Sequence, residues 1–289
     1  MKRLVIFLLI VPVMGFSQTS SDTTKVWNKG GTISVNFSQV SLTNWAAGGK
    51  SSASGTALFN VFANYAEDNK SWENTLDVGY GLLKEEDDKA VKTDDKIDFS
   101  SKFGLKPKAE SKLFYTALFN FRTQMTNGYN YPNTDDAIST FMAPGYFTLA
   151  LGMDYKPNDK FSLFLSPLTG KMTVVTDDEL SDAGAFGVDP GKKSRSELGA
   201  FLKSQFKTTV VKNVDFETKL DLFSNYLDTP QNIDIHWDVL VNMKINDFLS
   251  ANLITNLIYD DDVHIDDGEK SGPRIQFKQL FGVGLSLKF

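Results

Sequence analysis

Apolar and polar residues alternate along most of this chain. From Leu113 to Gln124, Leu113, Tyr115, Ala117, Phe119 and Phe121 share one face, and Thr116, Asn120, Arg122 and Gln124 share the other. From Val214 to Asn225, Val214, Phe216, Leu220 and Leu222 alternate with Asp215, Glu217, Lys219 and Asp221. From Ile233 to Lys244, Ile233, Ile235, Trp237, Val239, Val241 and Met243 alternate with Asp234, His236, Asp238, Asn242 and Lys244. A period of two sends the two sets to opposite faces of a β-strand. The pattern predicts about twelve strands, at roughly 31–38, 52–66, 71–84, 96–106, 112–125, 144–156, 161–176, 195–208, 213–226, 232–244, 248–259 and 274–289.

The connections sort into two kinds. Glu67–Lys70, Pro107–Ser111, Lys156–Lys160, Thr209–Lys212 and Ile245–Asp247 are short. Gln39–Ser51, Glu85–Asp95, Thr126–Ala143, Asp177–Ser194, Leu227–Gln231 and Asp260–Pro273 are mostly longer and polar. Short turns at one end and longer loops at the other are the pattern of an outer-membrane barrel. Hydrocarbon leaves no partner for an unpaired backbone group, so an extended chain crosses it only as a closed barrel. The apolar face then meets lipid and the polar face lines the lumen. A soluble β-sandwich is the alternative; it would bury the apolar faces inside and would not sort its loops. Trp72, near a short turn, and Tyr226 and Tyr259, near loops, are expected in the aromatic girdles. Pro167 falls inside the strand expected at 161–176, where a ladder donor is lost, so that strand is the weakest of the twelve.

The termini add an address. Lys2 and Arg3 precede an apolar run from Leu4 to Phe16, and Gly15 and Ser17 stand before Gln18 as at a cleavage site. This is a secretory signal peptide over 1–17, too short to span a bilayer. Residues 18–289 form the barrel domain, a single transmembrane antiparallel β-barrel of the all-β class. An even strand count beginning and ending on the short-turn side puts both termini in the periplasm of a Gram-negative-type envelope. The last strand alternates Ile275, Phe277, Phe281, Val283, Leu285, Leu287 and Phe289 with Gln276, Lys278, Gly282, Gly284, Ser286 and Lys288. A closing amphipathic strand with a terminal aromatic is similar to the signal read by barrel-assembly machinery, which is the expected partner beside outer-membrane lipid.

Composition narrows the function. The 289 residues hold 36 Asp and Glu against 30 Lys and Arg, with net charge −6. That balance and the lack of a basic block exclude a nucleic-acid partner. With no cysteine and two histidines, disulfides, thiolate chemistry and zinc sites are excluded or unsupported. No phosphate loop, dinucleotide fingerprint or nucleophile elbow is present, and no cofactor is expected.

Three stretches carry a family resemblance: Ser41-Leu42-Thr43-Asn44-Trp45-Ala46-Ala47-Gly48-Gly49, Ser166-Pro167-Leu168-Thr169-Gly170-Lys171 and Gly184-Ala185-Phe186-Gly187-Val188. In them the chain resembles an uncharacterised, Bacteroidetes-type family of outer-membrane β-barrels known by a domain-of-unknown-function label. The resemblance implies the barrel and no established activity.

Several residues could carry chemistry. The lumen is expected to be lined by Arg122, Arg195, Glu197, Lys203, Asp215, Glu217, Lys219, Asp221, Asp234, His236 and Asp238, with Asp77, Asp98 and Lys102. Such a mixed lining is either a selectivity ladder or a paired structural interior. His236, with Asp238 and Asp221 beside it, is the candidate general base of a hydrolase. Trp45, Gly48 and Gly49 of the first long loop, with Pro167 and Gly170, are read as a constriction. The acidic clusters at Glu85–Asp88, Asp177–Glu179 and Asp260–Asp262 with Asp266 and Asp267 offer hard oxygens, but none has EF-hand spacing; the default is a solvated loop without metal. The leading reading is a narrow porin-like channel for small solutes. The alternatives are a non-conducting structural or accessory barrel of an envelope complex, and an outer-membrane hydrolase using His236.

Overall fold

The computed structural model describes residues 26–42, 50–86, 88–266 and 271–289. The signal peptide expected at 1–17 and the Trp45, Gly48 and Gly49 segment lie outside these residues, as do Asp87 and Asp267.

Twelve antiparallel strands close into one barrel: β1 (Trp27–Val40), β2 (Ser52–Glu67), β3 (Lys70–Glu85), β4 (Val91–Leu105), β5 (Leu113–Thr123), β6 (Gly145–Asn158), β7 (Phe161–Val174), β8 (Ser194–Val211), β9 (Val214–Asn225), β10 (Ile233–Lys244), β11 (Leu249–Tyr259) and β12 (Gln276–Lys288). Each strand pairs with its sequence neighbours, and β12 returns to β1. The order needs no crossover, because every connection is a hairpin. Residues 68–69, 106–112, 159–160, 212–213 and 245–248 turn at the end where β1 begins and β12 finishes. The longer connections lie at the other end.

The register assigns the faces. Ile33, Val35 and Phe37 of β1 and Val283, Leu285 and Leu287 of β12 share the outer face, where Phe37 is 59% and Leu285 64% exposed. The intervening Ser34 and Asn36 point inward and are buried. The same division holds at β5 and β6. Tyr115, Phe119, Leu149, Leu151 and Met153 stand outside, while Thr116, Leu118, Asn120 and Ala150 are buried within. A surface of this kind is an apolar band that water would not tolerate and lipid solvates. At the short-turn end, Trp27 packs against Tyr65 (5.3 Å) and Trp72 (6.0 Å), and Trp72 Nε1 donates to Ser101 Oγ (2.9 Å). These amphipathic rings have the character of an interfacial girdle.

Strand β7 persists through Pro167 by bulging. Opposite β8, Thr169 pairs with Gly199 and Ser166 with Phe201, so Pro167 and Leu168 together face Ala200. Ser166 Oγ donates to the carbonyls of Leu151 (2.8 Å) and Leu168 (2.9 Å), replacing part of the interrupted ladder. Gly152 faces the bulge. A Cβ there would sit 2.0 Å from the Leu165 carbonyl oxygen, so only glycine lets the backbones approach this closely.

Strand β4 begins at Val91, earlier than the pattern suggested, because Asp94 also faces a polar lumen. The long connections also hold structure that alternation does not announce. Gly128–Tyr129 pairs with Ala137–Ser139, and His264–Asp266 with Ser271–Pro273. Helix α1 (Asp178–Asp182) is capped by Asp177, whose carboxylate accepts from Leu180 N (3.1 Å), with Asp178 and Glu179 in its first turn. The acidic cluster there is a helix start, placed where the dipole favours negative charge.

Candidate functional site

The interior charges are joined by ion pairs that reach across the barrel. Strands six apart in a ring of twelve stand on opposite walls. Lys96 of β4 lies 3.7 Å from Asp238 of β10, and Lys219 of β9 lies 3.6 Å from Asp77 of β3. Between these, Arg122 of β5 donates through Nε to Asp98 (3.0 Å) and through Nη2 to Asp221 of β9 (2.6 Å). Lys203 Nζ holds both oxygens of Asp221 at 3.0 Å. Nearer the short turns, Lys102 pairs with Asp154 (2.7 Å) and Glu73 (3.2 Å), and Lys156 joins the same two carboxylates. Charges crowded into a narrow lumen persist because each has partners of the opposite sign. In register, Arg195, Glu197 and Lys203 of β8, Glu217, Lys219 and Asp221 of β9, and Asp234, His236 and Asp238 of β10 share the phase of the buried Glu197 and Asp221, whereas Asp215, beside the short turns, is exposed.

Part of the lumen is apolar. Leu118, Ala150, Phe164, Phe201 and Phe223, from five consecutive strands β5 to β9, form one buried cluster. Phe164 and Phe201 meet edge to face at 6.3 Å. The alternation carried the signal: these residues occupy the polar phase of their strands. An apolar residue in that phase faces the lumen and is packed there.

Above the Arg122 bridge the lumen opens into a vestibule of about 440 Å³. Arg122, Asn120, Asp221 and His236 line it on the barrel side, and Phe186, Ile138 and Val263 from the long loops line its mouth. On one side Lys171 draws together Asp234 (2.7 Å), Asp260 (3.4 Å) and Glu197 (3.5 Å). Arg195 joins Asp262 (2.6 Å) and Glu197 (3.5 Å), and donates to the Gly187 carbonyl (3.3 Å). The acidic Asp260–Asp262 cluster is thereby tied to the wall. Asp261 accepts from Asn232 (2.5 Å) and from the Tyr259 hydroxyl (3.1 Å).

The loop 175–193 leans over the mouth. Val175 and Val188 are buried with Ala143, and Leu180 and Phe186 pack on them. Gly187 adopts φ +76°, and a Cβ there would lie 2.7 Å from the Arg195 guanidinium. Outside the lumen, Lys193 pairs with Asp178 of α1 (2.6 Å). This exposed contact holds the Asp178 carboxyl below its ordinary range.

His236 is set directly opposite Asp221 in the β9–β10 register. Its Nε2 lies 3.1 Å from Asp238 Oδ1 without an aligned hydrogen bond. Asp238 also accepts from Asn256 (2.6 Å), and Asp221 is held by two cations.

Gly170 lies in register with Leu149 and Leu198 on the outer face, with open space where a side chain would be. It contributes nothing to the lumen cross-section. The Pro167 carbonyl accepts from the Tyr226 hydroxyl (3.1 Å).

Closed antiparallel topology, an outward apolar face and a charged interior define the protein as a transmembrane β-barrel of the outer-membrane class. Residues 37–129 match the model of a family described as a protein of unknown function (DUF3078). The matched span includes the first of the three resembling stretches and ends before the other two. No curated protein sequence matches the chain. Among solved structures, the COG4313 outer membrane channel from Pseudomonas putida F1 is similar at 13% identity and TM-score 0.43, over 93% of this chain and 100% of that one. The NanC porin is similar at 6% identity and TM-score 0.41, over 89% and 100%. The translocator domain of autotransporter NalP from Neisseria meningitidis is similar at 9% identity and TM-score 0.37, over 90% and 87%.

Proposed function

We propose that this barrel is a narrow channel of the outer membrane for small polar solutes, with both termini periplasmic, entered from the loop-side vestibule and closed at rest by its cross-lumen ion pairs. The observation that carries the reading is the meeting of opposite walls: Lys96 with Asp238 and Lys219 with Asp77. Such pairs gain little over hydrated charges when water reaches them. They part and re-form readily, and each parting opens a polar path. A packed polymer of Leu and Phe would have no such state.

The test is planar-bilayer conductance of the refolded barrel, with heat-modifiable gel mobility as the folding control. Discrete, brief conductance steps are expected. Their open fraction should rise between 0.1 and 1 M salt, where the screening length shrinks from about 10 to about 3 Å and exposed pairs weaken. A folded barrel silent at both concentrations overturns the channel. That outcome supports the accessory reading, which the Leu118–Phe223 cluster also favours because it fills one side of the lumen.

A further inference from the structure

The vestibule is unevenly charged. Its floor is balanced, with Arg122 and Lys203 answering Asp98 and Asp221. Its side wall is not. Glu197 and Asp234 on the strands, and Asp260 and Asp262 in the connection after β11, are four carboxylates. The cations paired with them among the described residues are two, Lys171 and Arg195. The adjoining Asp261 is bound by the neutral Asn232 and Tyr259, and it raises the excess of negative charge from two to three. Residues 267–270, outside the described residues, read Asp-Gly-Glu-Lys, so on balance they add no positive charge. Asp234, Asp260 and Lys171 line the cavity directly.

The wall also shows which kind of cation it accepts. The Lys171 ammonium sits among Asp234 (2.7 Å), Asp260 (3.4 Å) and Glu197 (3.5 Å), and it lies 5.1 Å from the centroid of the Phe223 ring. Carboxylates together with an aromatic face make a seat for a primary ammonium. The carboxylates are spread around this seat, and among the described residues no group of three or more such side chains is set to hold a metal ion. Ile138, Phe186, Phe201, Ile258 and Val263 supply an apolar lining beside it. The cavity, about 440 Å³, has the size of a small-molecule site.

We propose that the vestibule binds a small organic monocation, a primary ammonium carried on a compact apolar body, and that this is the solute class of the channel. The ammonium is held by Asp260 and Asp234, beside the seat that Lys171 already fills. The body lies against Phe186, Ile258 and Val263. An anion meets the excess carboxylates and is repelled. A metal ion would shed its hydration shell with no converging ligands to replace it. As a statement about transport the inference rests on the channel reading; as a statement about binding it rests on the vestibule alone.

The test is equilibrium binding, read by fluorine NMR titration of barrels refolded in dodecyl maltoside at low salt. The probes are para-fluorobenzylammonium, para-fluorobenzyl alcohol and para-fluorobenzoate, which share a body and differ in charge. One unit charge at about 4 Å in water changes affinity about fivefold. The ammonium should therefore bind at least about fivefold more tightly than the alcohol, and the benzoate more weakly than both; equal affinities overturn the site. Asp260→Asn should weaken the ammonium about fivefold and leave the alcohol unchanged. Asp234→Asn reports the same wall if Asp260→Asn does not refold, with heat-modifiable mobility as the folding control. An unchanged ammonium affinity in the refolded variant overturns the role of the wall. Lys171→Met, which vacates the seat, should tighten the ammonium about fivefold; equal or weaker binding overturns the seat as the guide to ligand chemistry. Conductance is recorded on the same preparations. A barrel that binds the ammonium without conducting overturns the channel and leaves the site. One that conducts without preferring the ammonium overturns the site and leaves the channel.

Discussion

Replacing Arg122 by serine tests the closed state at its centre. The guanidinium joins Asp98 at 3.0 Å and Asp221 at 2.6 Å, so it ties β4 and β5 to β9 across the lumen. With Lys203 the group is balanced, two cations against two carboxylates. The substitution leaves one uncompensated negative charge at the floor of the vestibule. At about 4 Å in water this lowers a passing cation by about 1 kcal/mol and raises an anion by as much, a factor of about thirty in favour of cations over anions. It also removes the side chain that obstructs the path, so conductance and open fraction should rise together. The stability loss should stay below the 3–5 kcal/mol typical of an orphaned buried charge, because Lys203 still holds both oxygens of Asp221. The assay is single-channel recording under a potassium chloride gradient, where the reversal potential reports selectivity. A folded Arg122→Ser barrel with unchanged conductance and reversal potential would refute the argument that this bridge closes the lumen.

Three further outcomes follow from the packing. Leu118→Ala, at a position 1% exposed within the lumen cluster, should destabilise the barrel by about 2–5 kcal/mol, read from urea unfolding in detergent; a loss under about 1 kcal/mol would show the cluster is loosely packed. Gly152→Val places its side chain against the Leu165 carbonyl, 2.0 Å from the first added carbon, and should prevent recovery of the heat-modifiable form. Gly187→Ala forces an alanine to φ +76° and against Arg195, at a strain of about 1–3 kcal/mol; limited proteolysis should cut the loop 175–193 faster while the barrel stays intact, and unchanged cutting would show that Gly187 does not anchor it.

The walls of the molecule were legible from alternation and its interior only in part. Twelve strands follow from period two because each strand has one face in lipid and one in a polar lumen, so the pattern reports a physical boundary residue by residue. The face of Asp221 or His236 follows from that parity alone, and their neighbourhood follows from the hairpin joining β9 and β10. The start of β4 was hidden because Asp94 looks like a loop residue until the lumen beside it is known to be charged. Helix α1 was hidden because five residues are too few for a helical period, although Asp177 three residues before Leu180 is a capping signal. Pro167 reads as a strand breaker, and the bulge that accommodates it depends on Gly152 and Ser166 on elements that meet only after folding.

What no local pattern could supply is the set of partners across the lumen. Lys96 and Asp238 are separated by about half of the sequence and become neighbours only because the twelfth strand returns to the first. The same closure that removes the sheet's edges therefore determines which charges meet, and with them whether the lumen is open.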